Sequence, residues 1–400
     1  MKRWMVLLDV LLAALLVTGC APSGRSGPPA TGGPGTAATS AAGRQVAGHQ
    51  EPGLRAINFG FGNVSDPHTD WKKIDQQLEA ANVNAVSIAV GRPEWTAFPW
   101  PGHLDSAAAD GPDKYRDFVG AAVNELQTDP SGQRRHVSLG IDLLLPATLK
   151  KNPKLAGVDA DGKVSDGFAS PAAFDTTIGT QIDEMVNYLG TTYHPDEVVL
   201  TELFLDRFVF SSADLDLYRK DTGAKDWPRT KDGKPDLQNA AVVKWRSEVL
   251  ARVVSRARDA AHAAGTTLAV DVRVNWADPA AGRPDSAQDY ALLKSSADRL
   301  VLWAYPGMSG LDGSAVGKLT TGLTRGGYDP DRLTISVGLW SASGGNGQPG
   351  TTSGEGVIDA RTLAASLASA ADAGARSISV TPYSLLTDKD WDVIKAAWGG

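Results

Sequence analysis

The segment TLAVDVRVN, residues 267 to 275, alternates between two sets of side chains along its length. Successive side chains of a β-strand point to opposite faces, so the alternation predicts a strand with two different faces. One face comprises Leu268, Val270, Val272 and Val274, and the other comprises Ala269, Asp271, Arg273 and Asn275. We expect the first face to pack against helices and the second to point into the interior and mouth of a barrel. A strand covered by helices on both faces would be apolar throughout.

Seven further segments between residues 54 and 400 are predicted as strands. They are 55–63, 84–92, 136–146, 197–206, 299–307, 333–340 and 376–384, and with 267–275 they make eight strands. Helical patterns separate them, among them 70–83, 172–190, 242–265 and 359–374. Eight strands alternating with helices predict a parallel α/β fold over residues 54–400, a closed (β/α)8 TIM barrel. A doubly wound open sheet is the alternative, and the alternation within strands favours the barrel.

The first 53 residues predict export and a tether. Residues 1–19 begin with two basic residues, continue through an apolar stretch and end in small residues, which is the plan of a signal peptide. Cys20, the only cysteine in the sequence, ends the segment LVTGC, which resembles the lipobox of bacterial lipoproteins. That resemblance implies a lipid on Cys20 and a location on the extracytoplasmic face of the cell membrane. A cleaved signal with a chance cysteine is the alternative.

Residues 20–53 are rich in Gly, Ala, Ser and Pro, and predict a flexible, disordered tether. With a net charge of -7 and no basic stripe, the chain is not expected to bind nucleic acid. Its six histidines show no metal-ligand spacing. The sequence has neither a phosphate-binding glycine loop after the first strand nor a Gly-x-Ser-x-Gly segment, so we expect no cofactor. We expect a monomer.

Three acidic residues lie near the carboxyl ends of neighbouring predicted strands, where barrel enzymes carry their catalytic groups. They are Asp142 on the third strand, Glu202 on the fourth and Asp271 on the fifth. Adjacent strands lie about 4.8 Å apart, so these carboxyls can reach the spacing that glycoside hydrolysis uses. We expect Glu202, within an apolar segment that would raise its pKa, to be the acid/base and Asp271 to be the second carboxyl. The alternative is a structural ion pair between Arg273 and either Glu202 or Asp271.

Polar and aromatic side chains at the same end of the barrel are candidates for binding substrate. Flat rings stack against the apolar faces of sugars, although aromatic residues are also ordinary core residues. The candidates are Asn58, Trp95, Asp206, Arg207, Arg273, Asn275, Trp303, Tyr305, Trp340 and Tyr383. We expect Asp206 to orient substrate or Arg207.

Four segments resemble the glycoside-hydrolase-like proteins that actinobacteria export: SIAVGRPEWTAFPW, VVLTELFLDRFVF, DLYRKDTGAKDWPR and LAVDVRVNW. The resemblance implies acidic residues after the fourth strand, which are Glu202 and Asp206 here. The commonest retaining pattern also has an acid at the end of the seventh strand, where this chain has Trp340, so the second role shifts to Asp271 or Asp142. The resemblance therefore implies a lipid-anchored glycoside hydrolase that acts on a polysaccharide. A carbohydrate-binding barrel without catalysis is the alternative.

Two loops are expected beside the mouth of the barrel. The polar insertion 211–239 contains Tyr218 and Trp227 and is predicted to form a folded wall of the cleft. The segment 343–356 is rich in glycine and is predicted to be a mobile loop.

Overall fold

A computed structural model describes residues 53–108, 115–342 and 356–399. Its strands are β1 (Arg55–Phe59), β2 (Ala85–Arg92), β3 (Trp95–Thr96), β4 (His136–Asp142), β5 (Ala156–Val158), β6 (Val164–Ala169), β7 (Glu197–Thr201), β8 (Thr267–Arg273), β9 (Arg299–Ala304), β10 (Leu333–Gly338) and β11 (Ile378–Thr381). Eight of them pair in parallel in the order β1-β2-β4-β7-β8-β9-β10-β11, and β11 pairs with β1. The predicted (β/α)8 barrel is confirmed.

Helices lie between the strands. They are α1 (Phe61–Val64), α2 (Trp71–Ala80), α3 (Phe118–Leu126), α4 (Pro146–Lys151), α5 (Pro171–Asp175), α6 (Thr177–Tyr193), α7 (Ser212–Thr222), α8 (Ala240–Ala263), α9 (Tyr290–Ser296), α10 (Ser314–Arg325), α11 (Ala360–Asp372) and α12 (Asp388–Trp398). Asp70 and Asn239 begin α2 and α8, since their side chains accept hydrogen bonds from the first free backbone N–H groups. Gly265, which follows α8, has φ +77°, as helix-ending glycines commonly do.

The predicted faces of the strands are observed. Leu268, Val270 and Val272 are fully buried in the large core between the barrel and its helices. Ala269 points the other way and meets Val199 and Val301 in a small separate cluster inside the barrel. The alternation in residues 267–275 therefore places Asp271 on the inner face.

Seven of the eight barrel strands end earlier than predicted, and two of these ends shape the mouth of the barrel. The fourth predicted strand, 197–206, ends at Thr201, because Glu202 adopts a left-handed backbone conformation with φ +57°. The third, 136–146, ends at Asp142, whose side chain accepts a hydrogen bond from the Leu144 N–H at 2.8 Å and turns the chain toward α4. Residues 202–210 consequently form a loop over the carboxyl end of the barrel.

The insertion 211–239 is folded, but its aromatic residues do not face the barrel cavity. Tyr218 stacks on Trp227 at 4.5 Å, and both pack against Trp245 of α8. The prediction that they form a wall of the cleft is therefore wrong for these two side chains, which instead form the insertion's own apolar core. Residues 159–163 form the turn of the antiparallel hairpin of β5 and β6.

The predicted signal peptide, Cys20 and the tether up to residue 52 lie outside the described residues, as does the glycine-rich segment 343–355. In the ranges that the structure covers, every helix is too short or too polar to cross a membrane.

Candidate active site

A cavity of about 610 Å³ opens at the carboxyl end of the barrel and continues into its interior. Four carboxylic side chains line it: Asp142, Glu197, Glu202 and Asp271. Asp142 lies opposite Thr201 in the register of β4 and β7. The structure thus brings together the three acids that the sequence predicts, at the ends of three neighbouring strands.

Glu202 is half-buried and faces the cavity at the first position after β7. Its carboxyl group forms no hydrogen bond or ion pair with any residue that the structure describes. Burial, together with the negative charges of Asp142 and Asp271, raises the pKa of Glu202 to about 8, although Arg273 and Arg92 oppose the shift. At neutral pH the side chain is therefore largely protonated and can donate a proton.

Asp271 lies on the inner face of β8, where it is half-buried beside Thr201 and Trp303. Burial raises the pKa of Asp271 to about 6, and the polar groups of Thr201 and Trp303 limit the rise. Asp271 is therefore ionised at neutral pH, while Glu202 keeps its proton. Two neighbouring carboxyls with separated pKa values are the arrangement that acid/base catalysis requires.

Asp142 is 7% exposed and forms an ion pair with Arg92, with 2.7 Å between Oδ2 and Nη2. Arg92 was not among the predicted site residues, although it ends β2 at the same end of the barrel. The charge of Asp142 raises the pKa of Glu202. Its ion pair with Arg92 makes Asp142 less suited than Glu202 to proton transfer.

Asp206 lies in the loop after β7 and forms an ion pair with Arg273, with 2.9 Å between Oδ2 and Nη1. The guanidinium of Arg273 also stacks over the Phe204 ring at 3.6 Å. Arg273 thus pairs with neither Asp271 nor Glu202, which was the structural alternative. Arg207 is exposed, and its guanidinium lies 4.8 Å from the centre of the Phe208 ring.

Three predicted aromatic residues meet on one side of the cavity. Trp303 and Tyr305 stack with 5.8 Å between their ring centres, and Tyr305 contacts Trp340 at 5.2 Å. All three line the cavity. Gly338 on β10 makes room for this group, since a Cβ there would lie 2.2 Å from Cδ1 of Tyr305.

The other predicted binding residues do not all line the cavity. Asn58 lines the cavity. Trp95 does not line it but contacts Phe61 edge-on at 5.2 Å. Tyr383 packs on Phe59 and donates a hydrogen bond to Gln77 at 3.1 Å. Asn275 holds the loop after β8 by accepting hydrogen bonds from the backbone N–H groups of residues 277 and 278.

Sequence reasoning missed the residues at the rim of the cavity. These are Phe61, Asn63, Met308, Ser384 and Leu385. All follow a barrel strand closely, so position after a strand was the available signal. Phe61 and Asn63 were instead included in the first predicted strand, 55–63, and Ser384 in the eighth, 376–384.

The fold resembles those of solved glycoside hydrolases. The glycoside hydrolase domain of PgaB (BpsB) from Bordetella bronchiseptica matches with a TM-score of 0.61 and 15% identity, over 87% of this chain and 99% of that chain. The catalytic domain of beta-amylase from Paenibacillus polymyxa matches with a TM-score of 0.56 and 13% identity, over 86% and 97%. A beta-galactosidase from Marinomonas ef1 matches with a TM-score of 0.62 and 12% identity, over 86% of this chain and 59% of that chain.

Neither a family model nor a curated protein matches the sequence. At 12–15% sequence identity, the similarity to these structures shows the fold alone. The chain therefore has a glycoside-hydrolase-like (β/α)8 barrel.

Proposed function

We propose that the protein is a glycoside hydrolase in which Glu202 is the general acid and Asp271 is the base or nucleophile. The observation that carries the proposal is the Glu202 carboxyl, which faces the cavity without a partner in the described structure and has a pKa of about 8. A non-glycine residue with φ +57° is uncommon, and backbone strain of this kind concentrates at functional sites. The fold that the chain shares with glycoside hydrolases agrees with this reaction.

In the proposed reaction, Glu202 transfers its proton to the glycosidic oxygen as the bond from that oxygen to the anomeric carbon breaks. The bonding electrons leave with the oxygen, and the carboxylate of Asp271 stabilises the positive charge that develops on the sugar ring. Asp271 then either attacks the anomeric carbon or takes a proton from the water that attacks it. The anomeric configuration of the first product distinguishes these two courses.

The charges around the cavity favour a neutral or cationic sugar. Within the described residues, four carboxylic side chains and no lysine or arginine line the cavity. Three nearby arginines are matched, Arg92 by Asp142, Arg273 by Asp206 and Arg299 by Glu197. A uronic acid would thus meet no unmatched cation among the described residues that line the site.

We further propose that Cys20 carries a lipid and that the barrel acts outside the cytoplasmic membrane on a polysaccharide. The lipobox-like LVTGC and the residues after it support this location.

The test is incubation of the purified barrel with neutral, amino-sugar and uronate polysaccharides, with new reducing ends measured. We expect cleavage of a neutral or amino-sugar polymer. Binding without cleavage by the wild-type protein would contradict hydrolysis and identify a carbohydrate-binding barrel. The lack of an acid at the end of β10, where Trp340 follows, is the observation that favours this second function.

A further inference from the structure

The interior of the barrel is lined mostly by small and polar side chains, with the branched Val199 and Val301 among them. (β/α)8 barrels typically fill this space with Val, Ile and Leu. Here the cavity continues below the catalytic acids between Ala56, Ser87, Ser138, Gly140, Ser336 and Ser379. It reaches His136 and Glu197, the first residues of β4 and β7 and thus the amino-terminal end of the barrel. We call the part of the cavity lined by Ala56, Asn58, His136, Ser138, Glu197 and Ser379 the inner chamber.

Three buried polar atoms that line this chamber have no hydrogen-bond partner among the residues that the structure describes: Asn58 Oδ1, His136 Nε2 and Ser379 Oγ. Ser379 is only 2% exposed, so bulk solvent does not satisfy its hydroxyl group. Buried polar groups in proteins are nearly always hydrogen-bonded to protein or to ordered water. Three such atoms lining one cavity indicate that the inner chamber holds a polar ligand.

The charges at the bottom of the chamber are already matched. Glu197 forms an ion pair with Arg299, with 3.0 Å between Oε1 and Nε, and accepts a hydrogen bond from Ser138 at 3.2 Å. The atoms that remain without partners are an amide oxygen, an imidazole nitrogen and a hydroxyl group. They therefore require a neutral ligand that both donates and accepts hydrogen bonds.

The width of the chamber suits a small ligand. The interior of an eight-stranded barrel is just wide enough for side chains to fill it or to hold one small ligand. Where Ala, Ser and Gly stand in place of branched side chains, the space admits water molecules, which polar cavities hold.

We propose that the inner chamber binds a column of ordered water and that this column supplies the water consumed in hydrolysis. The proposal rests on the proposed glycoside hydrolase function. A sugar bound at the mouth, between Phe61 and Trp340, would cover the cavity from the solvent side. Water below Asp271 would remain in contact with its carboxylate.

The consumed water is then replaced from below. The oxygen of the uppermost molecule bonds to the anomeric carbon, and one of its protons passes to Asp271. The column serves the course in which Asp271 is the base, because in the course where Asp271 is the nucleophile water must attack the anomeric carbon from the side opposite Asp271. The next molecule of the column moves up toward the acids.

Two substitutions fill the chamber without touching the acids. At Gly140 a Cβ would lie 3.7 Å from its nearest neighbour, the Ile88 carbonyl oxygen, so Gly140→Ala fits without a clash. Ser379→Val replaces an unpartnered hydroxyl by methyl groups. We expect each variant to lower kcat about ten- to a hundredfold, as small misplacements of reacting groups do, with KM and Tm unchanged. Thr320→Val is the matched control, because Thr320 is buried in α10 outside the barrel.

The second readout is an atomic-resolution crystal structure of the wild type. We expect ordered solvent within hydrogen-bond distance of Asn58, His136 and Ser379. A dry chamber would overturn the proposal, and so would wild-type kcat in both filled variants. A dry chamber beside an active wild type refutes only the water column, whereas a wet chamber in a protein inert on every polysaccharide refutes the hydrolysis and the supply role together.

Discussion

At the scale of single residues, Glu202 combines three features that stability alone does not favour. It is half-buried, its backbone is left-handed, and its carboxyl has no partner among the described residues. A half-buried acid without a partner loses hydration and gains no compensating contact. Such a residue is expected where function requires a proton donor.

The raised pKa of Glu202 predicts a pH-dependent stability difference. The folded protein holds this proton up to about pH 8, whereas the unfolded chain releases it near the ordinary value of 4.5. This group therefore contributes stability at low pH that is lost as the pH rises from 4.5 through 8. Glu202→Gln should raise Tm relative to wild type at pH 8.5 and change it little at pH 4.5. An equal shift at both pH values would show that the carboxyl does not titrate as described.

The two acids together predict a bell-shaped dependence of kcat/KM on pH. Asp271 must be ionised and Glu202 protonated, so activity should rise near pH 6 and fall near pH 8. The measurement is kcat/KM on the best substrate of the panel across this range. Flat activity from pH 5 to pH 9 would exclude this pair as acid and base.

At the scale of elements, the strands and their faces could be predicted, but the loops at the mouth could not. The alternation around Asp271 follows from the geometry of one strand. The left-handed turn at Glu202 has no sequence signature, because a non-glycine residue adopts positive φ only when its surroundings require it. The pairing of Asp206 with Arg273 depends on how residues 202–210 fold back over the barrel.

Gly338 on β10 packs directly against the ring of Tyr305, so a larger residue at position 338 should disturb that ring. Gly338→Ala should displace Tyr305, since the added Cβ would lie 2.2 Å from its ring. We expect a loss of about 1–3 kcal/mol in the free energy of unfolding, which is typical of overpacking, and reduced turnover.

A double-mutant cycle with Tyr305→Ala checks the cause of that loss. In the Tyr305→Ala background, Gly338→Ala should cost little stability. Additive losses would mean that the glycine serves the strand itself rather than the ring.

At the scale of the whole molecule, attachment to a membrane depends on one residue outside the described barrel. If Cys20 carries a lipid, metabolic labelling with a fatty acid should mark the wild-type chain and not Cys20→Ala. Equal labelling of the two chains would refute the lipoprotein prediction.

The central claim is that Glu202 and Asp271 catalyse a reaction rather than hold the barrel together. Its most direct test is turnover and Tm measured together for Glu202→Gln and Asp271→Asn. Glu94→Gln is the control, since Glu94 is a carboxyl near the mouth that accepts hydrogen bonds from the backbone N–H groups of residues 147 and 148.

We expect the two site variants to lose about two to four orders of magnitude in turnover without a loss of Tm, while the control keeps its turnover. Turnover retained in both site variants together with a large fall in Tm would contradict the account and show that these carboxyls are structural.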